Sequence, residues 1–311
     1  MSHKNKTCSL AHDAASRLLT NYTSELRKHA KAAASHDVEG VHDLRVASRR
    51  LRAALAAHTH LFKKKKRKEF QAAIRDVTRS LGKARELDVS IAALTKRRNR
   101  LHGPSRAAAG EVLRYLRGLR SAECPQVDHA VEVVSASGFA ELCKAMLERS
   151  KPAHTCYIVD AEKTLREEFG ELLRRFSAWQ LEPNEESLHQ VRIAFKKLRY
   201  HCEILGKLYG ARMTHFIEDL KASQEVLGDW NDIRVLRDYV AAAPGCDTEE
   251  ILAGREELVA SLNAEVNSYF QAFSTTALDF FSEAGCERAS ELFASPKESC
   301  CTPALSQGTS G

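Results

Sequence analysis

Eighteen residues, Val41 to His58 (VHDLRVASRRLRAALAAH), come back as Leu188 to Leu205 (LHQVRIAFKKLRYHCEIL), 147 positions further along the chain. Both copies read His-x-x-Arg-x-x-x-basic-basic-x-Arg, with His42, Arg45, Arg49, Arg50 and Arg52 in the first and His189, Arg192, Lys196, Lys197 and Arg199 in the second. A second matched pair follows at a spacing of 146, SLGKARELDV from Ser80 and VLGDWNDIRV from Val226. The chain reads as a duplication, so whatever it folds into is built twice.

At about 100° per residue, His42, Arg45, Arg49 and Arg52 fall within an arc of about 80° and span roughly 15 Å of an α-helix. Leu44, Leu51 and Leu55 lie on another face, as do Val191, Leu198 and Cys202 in the second copy. Each motif helix can therefore bury one side and present a cationic stripe on the other. A solvated helix face usually interleaves acids with bases, yet no Asp or Glu occurs between Leu44 and Lys68 or between Ser187 and Cys202. Stacked like charges cost a few tenths of a kcal/mol per i,i+4 pair. The pattern accepts that cost twice, which points to a polyanion as the missing counter-charge.

Seven Pro and fifteen Gly among 311 residues leave few breaks, and 43% hydrophobic residues support a core; the class expected is all-α. The repeat spacing divides the chain into units of ordinary bundle size. We expect a first four-helix bundle over 1–150, a second over 151–285 and a disordered tail over 286–311. Charge is segregated: Val41 to Arg100 holds eighteen Lys/Arg against five Asp/Glu, a local net of +13 in a chain whose formal total is +6. Such a field concerns partners, namely nucleic acid, an anionic surface or another polyanion. The nine Cys are odd in number and form no C-x-x-C pair, so neither a disulfide framework nor a metal site is expected. With no apolar leader and no run of 18 apolar residues, the reading is a cytoplasmic protein without membrane insertion.

Along the chain, helices are expected over Ala11 to Ala34, Val41 to Phe62, Glu69 to Leu101 and Gly103 to Ala122. A connecting segment then leads to Lys151-Pro152. The second half repeats the plan over Tyr157 to Trp179, Glu185 to Leu208, Met213 to Ala243 and Thr248 to Phe273. Lys63, Lys64, Lys65, Lys66, Arg67 and Lys68 form a basic block expected at a turn, where it would capture a polyanion before the stripes hold it. Arg75 and Lys221 keep positive charge at equivalent places and are second-tier candidates. Gly82 and Gly228 recur inside helices at a cost of about 1 kcal/mol each, which suggests a close approach or a bend.

His12-Asp13, His36-Asp37 and His42-Asp43 could suggest a metal-dependent phosphohydrolase, but the duplicate has His189-Gln190 and does not keep the acid. Phosphate loops of the G-x-x-x-x-G-K-[ST] or G-x-G-x-x-G type are absent. The four motif blocks, in this order, resemble the CHAD domain, the conserved-histidine α-helical domain, over residues 10 to 285; Glu86 stands where that family more often has Asp. The resemblance implies two four-helix bundles related by a pseudo-two-fold axis, whose motif helices line a basic central cavity that binds inorganic polyphosphate without catalysis or cofactor. It is to the stand-alone form, since no Glu-x-Glu-x-Lys motif of a CYTH triphosphatase occurs. Polyphosphate granules are then an expected location. Nucleic acid is the competing partner, but single-strand binders interleave aromatic platforms with their cations, whereas the motif windows offer only Phe195, on the apolar side, and Tyr200. An accessory or enzymatic role in phosphate metabolism is the other alternative. The cations should also disfavour the imidazolium of His42 and His189 in the free protein.

Overall fold

In the computed structural model, residues 2–148, 157–245 and 248–294 are described. Among them the chain is all-α, and no helix is long and apolar enough to cross a membrane. Helices α1 (Ser2–Ala33), α2 (Val38–Ala57), α3 (Lys64–Ser80), α4 (Gly82–Arg98), α5 (Gly103–Ala122), α6 (Cys124–Ser135) and α7 (Ser137–Leu147) make up the first repeat. The second comprises α8 (Tyr157–Leu181), α9 (Glu185–Leu205), α10 (Ala211–Ala242), α11 (Glu249–Phe280) and α12 (Glu283–Ala294).

The motif helices begin the same way. Asp37 caps α2, its carboxylate accepting from the N–H groups of Glu39 (3.2 Å) and Gly40 (3.1 Å). Asn184, at the equivalent place, caps α9 by accepting from Ser187 N–H (2.8 Å), while Ser187 Oγ accepts in return from Asn184 N–H (3.2 Å). Each cap satisfies first-turn donors that the helix itself cannot. Behind them, α2 buries Val41, Leu44, Ala47, Ser48, Leu51, Ala54 and Leu55, and α9 buries the residues 147 positions on, from Leu188 to Cys202.

Three expectations are corrected. The long helix expected over Glu69 to Leu101 is two, α3 and α4, interrupted at Leu81 next to Gly82; its counterpart α10 runs unbroken past Gly228, beside which a Cβ would meet nothing within 4 Å. The supposed connection after Ala122 contains α6 and α7, which bury Val127, Ala130, Val134, Phe139, Cys143 and Met146 in the first core. The tail expected from residue 286 begins inside α12, whose Ala289, Leu292 and Phe293 are buried; residues 295–311 lie outside the described residues. Ser137 and Glu283 open α7 and α12 at the 146 spacing, so both misread segments are the same closing helix of the two repeats.

The apolar cores do not divide at residue 150 either. One core joins α1, α2, α3, α6 and α7; the other joins α8 to α12 with Leu87 and Leu94 of α4 and Ala108 to Leu116 of α5. The chain crosses between cores after Ala84, packs α5 on α11, and returns through α6. The α5–α11 contact is close: a Cβ on Gly254 would lie 2.3 Å from the Pro104 carbonyl carbon. Half-buried Arg120 locks the crossing, with Nε donating to buried Asp88 (2.7 Å) and Nη2 to the His36 carbonyl (3.1 Å).

Gly254→Ala should therefore cost about 1–3 kcal/mol or more through overpacking, whereas Gly170→Ala, mid-α8 with no atom near its added carbon, should gain up to about 1 kcal/mol of helix propensity. Urea midpoints of the two variants check this, and equal shifts would mean that α5 and α11 do not touch as described.

Candidate anion-binding cleft

The buried faces of α2 and α9 fix which way their other faces point. The two helices pack on one another, with α4 and α10 close by, and between them opens a cleft of about 820 Å³. Arg45, Arg49 and Arg52 line it from α2, and His189, Arg192, Lys196 and Lys197 from α9. The structure thus brings seven of the ten motif candidates to one place.

The other three go elsewhere for local reasons. Arg50 follows Arg49 by about 100° around the helix and is exposed. Arg199 turns to α10 and its own helix, donating to Gln224 (2.7 Å) and Glu203 (2.6 Å). His42 is half-buried outside the cleft lining and faces Arg85, whose charge, after burial, is the main reason its pKa lies below the ordinary histidine value. Among second-tier candidates, Arg75 is exposed near Arg52, whose own pKa is lowered first by burial and then by Arg75. Lys221 is exposed on α10 and lines no part of the cleft. The basic block is not a flexible turn: Lys63 is the N-cap of α3, and Lys64, Lys65, Lys66, Arg67 and Lys68 are its first residues. Within it Lys66 pairs with Glu69 (3.3 Å) and Arg67 donates to the Thr59 carbonyl. None of the block lines the cleft.

The cleft contains residues the stripe analysis passed over. Arg85 and Glu86 of α4, Asn231, Asp232 and Arg234 of α10, and Tyr200 of α9 all line it. Five of these six lie in the second matched block, where Arg85 corresponds to Asn231 and Glu86 to Asp232. Each motif histidine meets that block: His42 feels Arg85, and Asn231 hydrogen-bonds His189. Recurrence at the same spacing was the available signal.

The break at Leu81 separates the roles of the equivalent Arg45 and Arg192. The carbonyls ending α3 have no helical partner, and Arg45 Nη1 donates to one of them, Thr78 O, at 3.0 Å. Because α10 is continuous, Arg192 has no such carbonyl to cap, and its buried Nε is without a hydrogen-bond partner. Burial, together with Arg49, Arg234 and Arg45 and against the opposing effect of Asp232, draws the Arg192 pKa down to about 10. Burial followed by Arg192 and Arg49 draws Lys196 down to about 7. His189 is lowered first by burial, then by Arg192 and Arg234. Positive groups of the two repeats therefore act on one another across the cleft. Tyr200 adds a physical bridge, with the Arg49 guanidinium 5.3 Å and that of Arg199 4.9 Å from its ring centroid.

Fold and cleft together define an all-helical protein whose two repeats converge on one cationic groove. A family model described as the CHAD domain matches residues 17–241, and the chain belongs to the CHAD domain family. Among solved structures it is similar to the CHAD domain from the plant Ricinus communis, at 24% identity over 84% of this chain and 91% of that one, with a TM-score of 0.61. It is likewise similar to PptA from Streptomyces chartreusis, at 17% identity over 85% and 98% of the respective chains, with a TM-score of 0.60. At these identities the likeness establishes the fold. No curated protein matches the chain.

A lysine with a depressed pKa stays protonated in the unfolded chain while the folded state releases its proton. Between about 7 and the ordinary value of about 10.4, Lys196 therefore makes stability rise with pH. Lys196→Met should stabilise the ligand-free protein by about 1–3 kcal/mol at pH 6.5, with the gain shrinking by pH 9.5. Thermal melting at both pH values checks this, and a destabilised variant at pH 6.5 would show that the ammonium is paired.

Proposed function

We propose that this protein binds inorganic polyphosphate in the α2–α9 cleft and does so without chemical turnover. The carrying observation is that Arg49, Arg192 and Lys196 converge there from both repeats with no carboxylate ion pair among the described residues. Such an array is costly when empty, and a polyanion relieves it by supplying charge-assisted hydrogen bonds to every donor. The reading is strengthened by membership of a family whose resemblance implied the same ligand.

The two acids of the cleft fit a holding role. Asp232 faces Arg192 and Lys196 and favours their charged forms; Glu86 accepts from Lys83 (3.0 Å) and from Tyr239 (2.7 Å). Among the described residues no group of three or more His, Cys, Asp or Glu side chains is placed to hold a metal ion. Nucleic acid would share the phosphate contacts but also needs stacking surfaces. The Tyr200 ring is already engaged by Arg49 and Arg199, which favours a ligand without bases.

Arg49→Ala with Arg52→Ala, and Arg192→Ala with Lys196→Ala, should each weaken the same binding event. Each should also flatten the dependence of log affinity on log salt by about 1–2. Titrations with long-chain polyphosphate, single-stranded DNA and double-stranded DNA, at matched phosphate and physiological salt, test the assignment. Preference for either DNA would overturn it. Binding should also take up protons, because a polyanion restores the charged forms of Lys196 and His189. Affinity should consequently rise as pH falls from about 9 toward 7 and further through the histidine range near 6.5. A pH-independent affinity would show that neither group changes its protonation on binding.

A further inference from the structure

A second groove, of about 710 Å³, lies on the first repeat between α1 and α7. Its floor is made of short side chains: Thr23, buried, donates to the Leu19 carbonyl (2.7 Å) and touches Cys143 Sγ (3.4 Å). Arg27, Lys28 and Lys31 of α1 and Lys144 of α7 stand along its rim, and all four are exposed. The lining contains no acid, and no carboxylate among the described residues pairs with these cations. Thr20, Ser24 and Ser135 add hydroxyl donors between them.

The second repeat supplies an internal control. At the 147 spacing Arg27 and Lys28 become Arg174 and Arg175 on α8, and Ser24 becomes Glu171. Glu171 accepts from Arg174 Nε (3.0 Å) and from Arg175 Nε (2.8 Å). It closes both cations within its own helix, as an acid three and four residues before its bases does. Thr20 likewise stands where α8 has Glu167. The Arg-basic pair is thus self-neutralised by Glu171 in the second repeat and open in the first, where Ser24 replaces that acid and Lys31, at the place of Ala178, adds a further cation.

We propose that the α1–α7 groove is a second anion site, specific to the first repeat, that takes a short oligophosphate. Arg27, Lys28 and Lys31 within about one turn of α1, Lys144 on α7 and the exposed hydroxyls of Thr20, Ser24 and Ser135 suit adjacent phosphate groups. The groove also carries apolar surface from Ala140, Cys143, Leu147 and the lysine and arginine stems, so an acidic helix is the rival occupant, and the density of unpaired cations favours the smaller, more highly charged anion. This site goes beyond the cleft and stands or falls separately from it.

Ser24→Glu installs the counter-ion that the second repeat already carries, at an exposed helical position where Glu is the better helix former. Isothermal titration of the full chain with tripolyphosphate should find two tight sites in the wild type, one in Ser24→Glu, one in Arg192→Ala with Lys196→Ala, and no tight site when Ser24→Glu is added to that pair. The surviving site of the cleft variant should weaken about tenfold or more on adding Ser24→Glu, with its salt slope falling by about 2. Repeating the titration with long-chain polyphosphate separates two sources of the same chemistry. A loss of long-chain affinity in Ser24→Glu marks the groove as taking the end of a chain held in the cleft, and an unchanged affinity marks it as taking free short anions. Unaltered stoichiometry and affinity for tripolyphosphate in Ser24→Glu would overturn the proposal, as would a groove that binds an acidic peptide and no tripolyphosphate. Loss of a site in Ser24→Glu with no effect of the cleft variant would retain the groove and reject the cleft instead.

Discussion

Mutual repulsion among cations from two repeats is the constraint on which the arrangement turns. Arg45, Arg49, Arg192 and Lys196 are brought together by helices whose opposite faces are buried, so the stripes cannot turn out of the cleft without unpacking Leu44, Leu51, Val191 or Leu198. At an effective dielectric of about 20, two unit charges 4 Å apart interact by about 4 kcal/mol, and partial burial keeps bulk water from screening the whole of it. Burial first and this repulsion second lower the affinity of the cleft's bases for protons, most of all at Lys196. On the proposed reading, a bound polyanion relieves this repulsion.

The repeats share this site unequally. In the first, the Leu81 interruption sends α4 and α5 into the other core and exposes carbonyls that Arg45 caps, so that Arg45 serves both fold and cleft. In the second, α10 is continuous, Arg192 is free for a ligand, and the core is filled by rings, with Phe176 stacked on Phe281 at 3.7 Å and Phe195 set against Phe273, Phe280 and Phe281. The crossing of α4 and α5 makes each repeat part of the other's core. That interlock holds the two stripes at a fixed separation, which a pair of independent bundles on a linker would not do.

How much of this was legible in the sequence follows from which features are local. The buried face from Val41 to Leu55 and most of the stripe opposite it are set by spacing along one helix, and the structure has them where the period puts them; Asp37 and Asn184 were read only as parts of breaks and turn out to be caps. Arg199 was assigned by the same period and left the stripe because Gln224 and Glu203, on a neighbouring helix and one turn away, offer it partners. The basic block looked like a turn because six like charges repel; α3 tolerates them because Phe70, Ile74 and Val77 anchor the helix further on. Helices α7 and α12 were missed because they are short, 11 and 12 residues, and each buries only a few apolar side chains, Phe139 and Met146 or Leu292 and Phe293 among them, so that alignment of one repeat on the other is what makes them recognisable. The core crossing after Ala84 leaves no local trace at all. Arg85, Asn231 and Asp232 were within reach, since their block recurs as faithfully as the stripe does.

The central claim, that unpaired positive charge from both repeats is held in one cleft for a polyanion, is tested most directly at the Lys196 ammonium. Its pKa can be followed by NMR on reductively ¹³C-methylated protein, with Lys196→Arg to assign the signal, in the free state, in Arg49→Ala and with polyphosphate bound. The account predicts a value near 7 in the free protein, a rise when Arg49 is removed, and a larger rise toward the ordinary lysine range of about 10.4 when the ligand binds. A value near 10.4 in all three states would mean that Lys196 is neither desolvated nor opposed by the other repeat, and would contradict the account.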